Sequence, residues 1–143
     1  PLVVIAPPGH PLVGQRHIPM ETLQQDTVIM RERGSGTRIS TERVFEDVGI
    51  QLKTGMEMSS NEAIKQAVQA GLGLGVLSIH TLEVELMLKR LVVLDVEDFP
   101  IIRHWYIVHR RGKRFSAVAQ AFRDFVLTES KGLLTVPSTS HAV

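Results

Sequence analysis

The sequence predicts an α/β fold built on a mostly parallel sheet. Short apolar runs recur at residues 2–6, 27–30, 74–77, 91–94 and 105–108, and they are continuous rather than alternating in polarity. Continuous runs suit strands covered on both faces. Stretches with helical spacing and readable ends lie between these runs. With 143 residues, 43% of them hydrophobic, the chain has enough apolar material for one domain or two small lobes.

Taken in order, residues 2–6 and 27–30 read as the first two strands. Residues 36–48 read as a helix burying Ile39, Val44, Phe45 and Val48, stopped at Gly49 by a left-handed cap. Residues 55–58 are a weaker strand, interrupted by Glu57. Ser59-Ser60-Asn61-Glu62 reads as a capping box, with Ser59 accepting from the amide of Glu62 and the Glu62 carboxylate reaching back. The helix that follows buries Ile64, Ala67 and Val68 and ends at Gly71. Residues 74–77, 91–94 and 105–108 supply three more strands. A last helix begins near Ser116, with Phe115, Val118, Ala119, Phe122 and Phe125 on one stripe. Residues 130–143, which include Pro137, read as a disordered tail.

Composition narrows the function. The 16 basic and 15 acidic residues leave a net charge of +1, so no global basic field holds nucleic acid. There is no cysteine, which removes disulfides and thiolate chemistry and is compatible with the cytoplasm. No apolar run is long enough to span a membrane. The six histidines are scattered, without metal-ligand spacing. The chain opens at Pro1-Leu2-Val3, already inside a strand-like run and without methionine. It therefore reads as a segment of a longer protein, and the lack of a signal peptide carries no weight.

Two places are equipped to hold an anion. The strand ending at Met30 leads through Arg31-Glu32-Arg33-Gly34-Ser35-Gly36-Thr37-Arg38 into a helix, and the strand ending at Met58 leads through Ser59-Ser60-Asn61 into another. A helix start leaves amides unpaired and carries partial positive charge, while hydroxyls and guanidinium groups add directed donors. If both strands share a sheet, the two starts open on one edge, where ligands of such folds sit. The plainer alternative is that Ser35 and Ser59 only cap helices and the arginines are solvated. The Gly71-Leu72-Gly73-Leu74-Gly75 run is not a dinucleotide loop, because it follows a helix and opens a strand; helix capping and close packing explain it better. Residues 110–114 read as a solvated basic turn. No nucleophile–base pair is apparent, so a catalytic reading is thin.

Two further segments carry a resemblance. Pro7-Pro8-Gly9-His10-Pro11-Leu12 is similar to a segment near the start of the second lobe of LysR-type regulators. The run from Ser59 through Asn61-Glu62-Ala63-Ile64-Lys65-Gln66-Ala67-Val68 to Gly71-Leu72-Gly73-Leu74-Gly75-Val76-Leu77-Ser78 resembles that family's crossing segment between lobes. With the stretch from Arg31 to Arg38, the likeness extends to the CbbR-like regulators of carbon-fixation (RuBisCO operon) genes. It covers roughly residues 2–127.

The resemblance implies an effector domain like the type 2 periplasmic binding proteins, with two Rossmann-like lobes around a cleft. Residues 1–73 would be the second lobe and residues 74–129 the returning half of the first, which is incomplete here. The winged helix-turn-helix and the opening half of the first lobe would lie outside this segment. Residues 74–77 and 105–108 are therefore expected to expose apolar surface. The effector contacts implied are Ser35, Gly36, Thr37, Ser59, Ser60 and Asn61, to which the helix-start reading adds Arg38. The expected protein is a non-enzymatic cytoplasmic sensor without a cofactor. It would bind a small anionic metabolite, form a homodimer or tetramer, and reach DNA only through the winged helix-turn-helix. The rival reading is a transporter's solute-binding protein of the same fold; an enzyme on this scaffold is a third.

Overall fold

The computed structural model describes residues 1–133. Strand β1, Leu2–Ala6, is buried along its whole length. Its side chains alternate between two cores. Leu2, Val4 and Ala6 join Phe45, Leu74 and Val76 on one face, while Val3 and Ile5 join Ile29, Ile64, Val68 and Leu77 on the other. This two-sided burial is why the run is continuously apolar.

Strand β2 is Thr27–Arg31, helix α1 Gly36–Asp47, strand β3 Lys53–Met58, helix α2 Asn61–Gln69 and strand β4 Leu74–Ser78. A short helix α3, Glu83–Met87, and strand β5, Val92–Val93, follow. The sheet order is β3-β2-β4-β1-β5. β2 pairs in parallel with β3 and β4, whereas β1 pairs antiparallel with β4 and β5. The sheet is thus mixed rather than mostly parallel, because β1 runs against both of its neighbours, β4 and β5. β3 is an exposed edge strand, which accounts for its broken apolar pattern.

Helix ends follow the sequence closely at one end of α1 and less closely at α2. α1 terminates at Gly49, whose φ of +74° no β-carbon favours. At α2 the capping residue is Ser60, not Ser59: its Oγ accepts from the Ala63 amide at 3.4 Å. Glu62 does not reach back to the cap but pairs with Lys65 at 2.7 Å. The glycine-rich run is a packing device, as its order implied. A β-carbon on Gly75 would lie 3.0–3.2 Å from Val68, Ile64 and Ile5, so glycine lets α2 settle directly onto β4.

The described chain divides between Ile102 and Arg103 into two compact units. The lobe boundary expected after Gly73 instead runs through the middle of a sheet, since β4 is hydrogen-bonded between β1 and β2. Residues 74–77 are correspondingly buried, not uncovered.

Residues 103–133 form the second unit. Residues 105–108 are not a strand: no described strand pairs with them, and Trp105 and Val108 are 84% and 86% exposed. Helix α4, Ala117–Leu133, starts with Ser116 Oγ accepting from the Ala119 amide at 3.2 Å. Of its expected stripe, Val118, Phe122 and Phe125 are exposed. The helix continues through residues 130–133, expected to be tail; residues 134–143 lie outside the described residues.

Candidate functional site

β2 and β3 run side by side in the same direction, with Arg31 in register with Met58. Each then turns into a helix, so α1 and α2 begin along the same carboxyl edge of the sheet. This is the juxtaposition that the two similar sequence segments implied. β4 also ends there, at Ser78, and leads to His80.

All seven expected residues fall on this edge. Ser35 is extended and occupies the N-cap position of α1, yet its side chain makes no cap hydrogen bond. Ser59 is exposed and has no hydrogen bond among the described residues. The alternative in which these two hydroxyls are spent on capping therefore does not hold for either. Gly36, Thr37 and Arg38 form the first turn of α1, and Asn61 opens α2. First-turn amides have no acceptor within their own helix and converge with its positive end.

Two guanidinium groups stand between the helix starts. Arg31 donates from Nε and Nη2 to the two Glu32 carboxylate oxygens at 2.7 and 2.9 Å, and from Nη1 to Asn61 Oδ1 at 2.6 Å. The last bond ties the end of β2 to the start of α2. Arg38 donates from Nε to Glu42 at 2.7 Å, and from Nη1 to Glu57 at 2.5 Å and to the Arg31 carbonyl at 3.2 Å. Its hydrogen bonds to the Glu32 carboxylate hold Arg31 above its ordinary pKa, and Arg31 in turn holds the Glu32 carboxyl below the usual range. Glu42 first, then Glu57, raises Arg38. Both arginines remain charged at any pH the protein meets.

Arg31 was legible as a basic residue near the site, but its bridge to Asn61 was not, since it joins positions thirty apart. The Arg38–Glu42 pair could have been read from its i,i+4 spacing. Glu57 was noticed only as an interruption of a strand, and no local pattern ties it to Arg38. Arg33 is exposed and enters no ion pair among the described residues.

The edge is an open shelf. Two hollows lie elsewhere. One of about 240 Å³ sits at the opposite edge of the sheet, lined by Pro7, His10, Asp26 and Gly73, and one of about 280 Å³ lies beside α1, lined by Met30, Phe45 and Thr54. Neither contains the helix starts. Among the described residues no three His, Asp or Glu side chains gather as a metal ion requires, and no helix is long and apolar enough to cross a membrane.

The LysR substrate binding domain family matches residues 1–131. The chain belongs to that family. It is 58% identical over 130 residues to a RuBisCO operon transcriptional regulator of Allochromatium vinosum, covering 91% of this chain and 43% of that protein. It is 47% identical over 133 residues to the HTH-type transcriptional activator CmpR of a Synechocystis strain, covering 93% and 44%. These relatives are transcription regulators rather than transporter solute-binding proteins, and the chain spans less than half of their length.

Among solved structures, the Synechocystis CcmR regulatory domain in complex with 2-PG is 43% identical, with a TM-score of 0.87 over 93% of this chain and 64% of that one. The effector-binding domain of QuiR in complex with shikimate, at 24% identity and TM-score 0.78 over 94% and 63%, supports the fold alone. The periplasmic-binding-protein-like fold of LysR effector domains and the CbbR-like resemblance are therefore both upheld.

Proposed function

We propose that this chain is the effector-sensing part of a LysR-type regulator of carbon-fixation genes, and that Ser35, Gly36, Thr37, Arg38, Ser59, Ser60 and Asn61 hold a small anionic metabolite. The observation that carries this is the pair of helix starts on one sheet edge, with the Ser35 and Ser59 hydroxyls unspent and two guanidinium groups between them. The 2-PG bound by the similar CcmR domain makes 2-PG the first ligand to try. The reading is of a cytoplasmic, non-enzymatic sensor that needs no cofactor and works as a homodimer or tetramer. Ligand changes the presentation of DNA-binding domains supplied elsewhere in the polypeptide. Its effect on DNA binding is limited by its differential affinity for the arrangements of the assembly.

Calorimetric titration of the full native polypeptide with 2-PG tests the site. Ser35→Ala, Arg38→Ala and Ser59→Ala should each weaken binding, by about 1.5–3 kcal/mol for each directed bond to a charged ligand that is lost. Wild-type affinity in the triple variant would rule the site out.

A further inference from the structure

The site just proposed already contains anions of its own. Arg31 and Arg38 face three carboxylates, those of Glu32, Glu42 and Glu57. Arg38 is the more constrained of the two: its side chain is 12% exposed, and Nε and Nη1 are both committed to carboxylates. Only Nη2 has no hydrogen-bond partner among the described residues. A guanidinium grips an incoming carboxylate or phosphate best with two adjacent N–H groups, as a fork. Every such fork on Arg38 includes either Nε, which donates to Glu42, or Nη1, which donates to Glu57 and to the Arg31 carbonyl.

The two carboxylates are not equally held. Glu42 lies one turn along α1 from Arg38, on the same helix. Glu57 reaches across from β3, an exposed edge strand, and its side chain is 48% exposed. Glu42, at 42% exposure, is about as open to water, but its bond joins two positions one turn apart on a single helix, whereas that of Glu57 joins two separate elements, so Glu57 is the one that gives way. We propose that Glu57 is a built-in competitor, holding the Arg38 guanidinium that an anionic ligand at the two helix starts uses.

This rests on the proposed anion site and adds a specificity rule to it. Exchanging one carboxylate for another gains nothing at Arg38, so a simple monocarboxylate binds poorly. A phosphate group brings more charge and a third acceptor oxygen for the helix-start amides, and it displaces Glu57. Glu57 thus sets the charge a ligand must carry before the site responds.

The test uses the full native polypeptide, with 2-PG and inorganic phosphate as strong probes and acetate as the weak one. Affinities come from calorimetry for 2-PG and from NMR titration for phosphate and acetate. Glu57→Gln keeps the size and one acceptor while removing the charge. It should tighten 2-PG by roughly three- to ten-fold, the Coulomb penalty of one carboxylate a few ångströms away in water-like surroundings, and should narrow the preference for 2-PG over acetate. Glu42→Gln should do the same to a smaller extent, and it serves if the first variant does not fold. Unchanged or weaker 2-PG binding in the Gln variants, alongside weakened binding in Arg38→Ala, would overturn the competitor and leave the site standing. Binding of neither strong probe by the wild type, or binding indifferent to Arg38→Ala, would remove the site itself and the competitor with it.

Discussion

Residues 1–102 and residues 103–133 carry apolar runs of much the same kind, yet the two regions treat them in opposite ways. Leu2-Val3-Val4-Ile5-Ala6 is wholly buried between two helix-bearing layers, whereas Trp105-Tyr106-Ile107-Val108 is exposed. The helices differ in parallel. α2 buries Ile64, Ala67 and Val68 against the sheet, while α4 leaves Val118, Phe122 and Phe125 exposed. An apolar run becomes a strand only where a neighbouring backbone offers hydrogen bonds and two layers offer cover. β4, inserted between β1 and β2, has both; residues 105–108 have no described strand beside them.

The widest separation between the regions should appear on deleting one large apolar side chain from each. Ile64 is fully buried, packed where Gly75 admits α2 to the sheet. Ile64→Ala should destabilise the chain by about 4 kcal/mol, in the upper half of the usual range for a core isoleucine. Phe122, at 68% exposure, removes little from water, so Phe122→Ala should stay within about 0.5 kcal/mol. Urea unfolding of the two variants decides this, and similar losses would mean that α4 is as well covered as α2.

That contrast also marks how far the sequence could be read. Strand positions in the first region were legible because burial on both faces leaves continuous apolar runs, and Gly49 announced the end of α1. The antiparallel sense of β1 was not legible, since an apolar run does not record its direction. The boundary after Gly73 misplaced β4 because chain order says nothing about which strand enters the middle of a sheet. At the candidate site, the helix starts showed locally in small polar residues after a strand. The cross-element bonds from Arg31 to Asn61 and from Arg38 to Glu57 depend on the parallel register of β2 and β3, which local pattern does not carry.

A second, smaller effect belongs to the first region alone. Lys65, with a side chain 9% exposed, donates to Glu85 Oε1 at 2.8 Å and to the Thr81 carbonyl at 3.1 Å, pinning α2 to the turn before α3. Glu85 Oε2 has no partner among the described residues. Lys65→Met strands a buried carboxylate and should cost about 3 kcal/mol, whereas Lys65→Met with Glu85→Leu should recover most of that. Burial is the largest single effect on the Glu85 carboxyl and would raise it, but the Lys65 hydrogen bond, a backbone hydrogen bond and the charges of Lys65 and Arg90 together lower the pKa. Burial likewise opposes the Lys65 charge, and Glu62 and Glu85 overcome it, raising the pKa. The Glu85 contribution is therefore present above the ordinary carboxylate pKa and lost as pH falls through the lowered value. The Lys65 contribution is present below the ordinary lysine pKa and lost as pH rises through the raised one. Unfolding midpoints of the wild type should fall at both extremes, and those of the double variant should fall less.

The smallest difference separates two neighbouring serines at the start of α2. Ser60 accepts from the Ala63 amide, but at 3.4 Å the bond is long, and the residue is exposed. Replacing a capping serine by alanine costs about 0.5–2 kcal/mol, and a long exposed bond belongs at the low end. Ser60→Ala should therefore lower stability by about 0.5 kcal/mol. Ser59 caps nothing among the described residues, so Ser59→Ala should leave the unfolding midpoint unchanged. The anion reading adds the converse for Ser59: a variant neutral in stability should still weaken 2-PG binding, because its hydroxyl is free to meet a ligand. Stability and calorimetry measured on both variants therefore separate a hydroxyl that also caps the helix, Ser60, from one that serves the ligand alone, Ser59. If Ser59→Ala costs more stability than Ser60→Ala, the capping residue is Ser59 after all, and its hydroxyl is no longer available to the ligand.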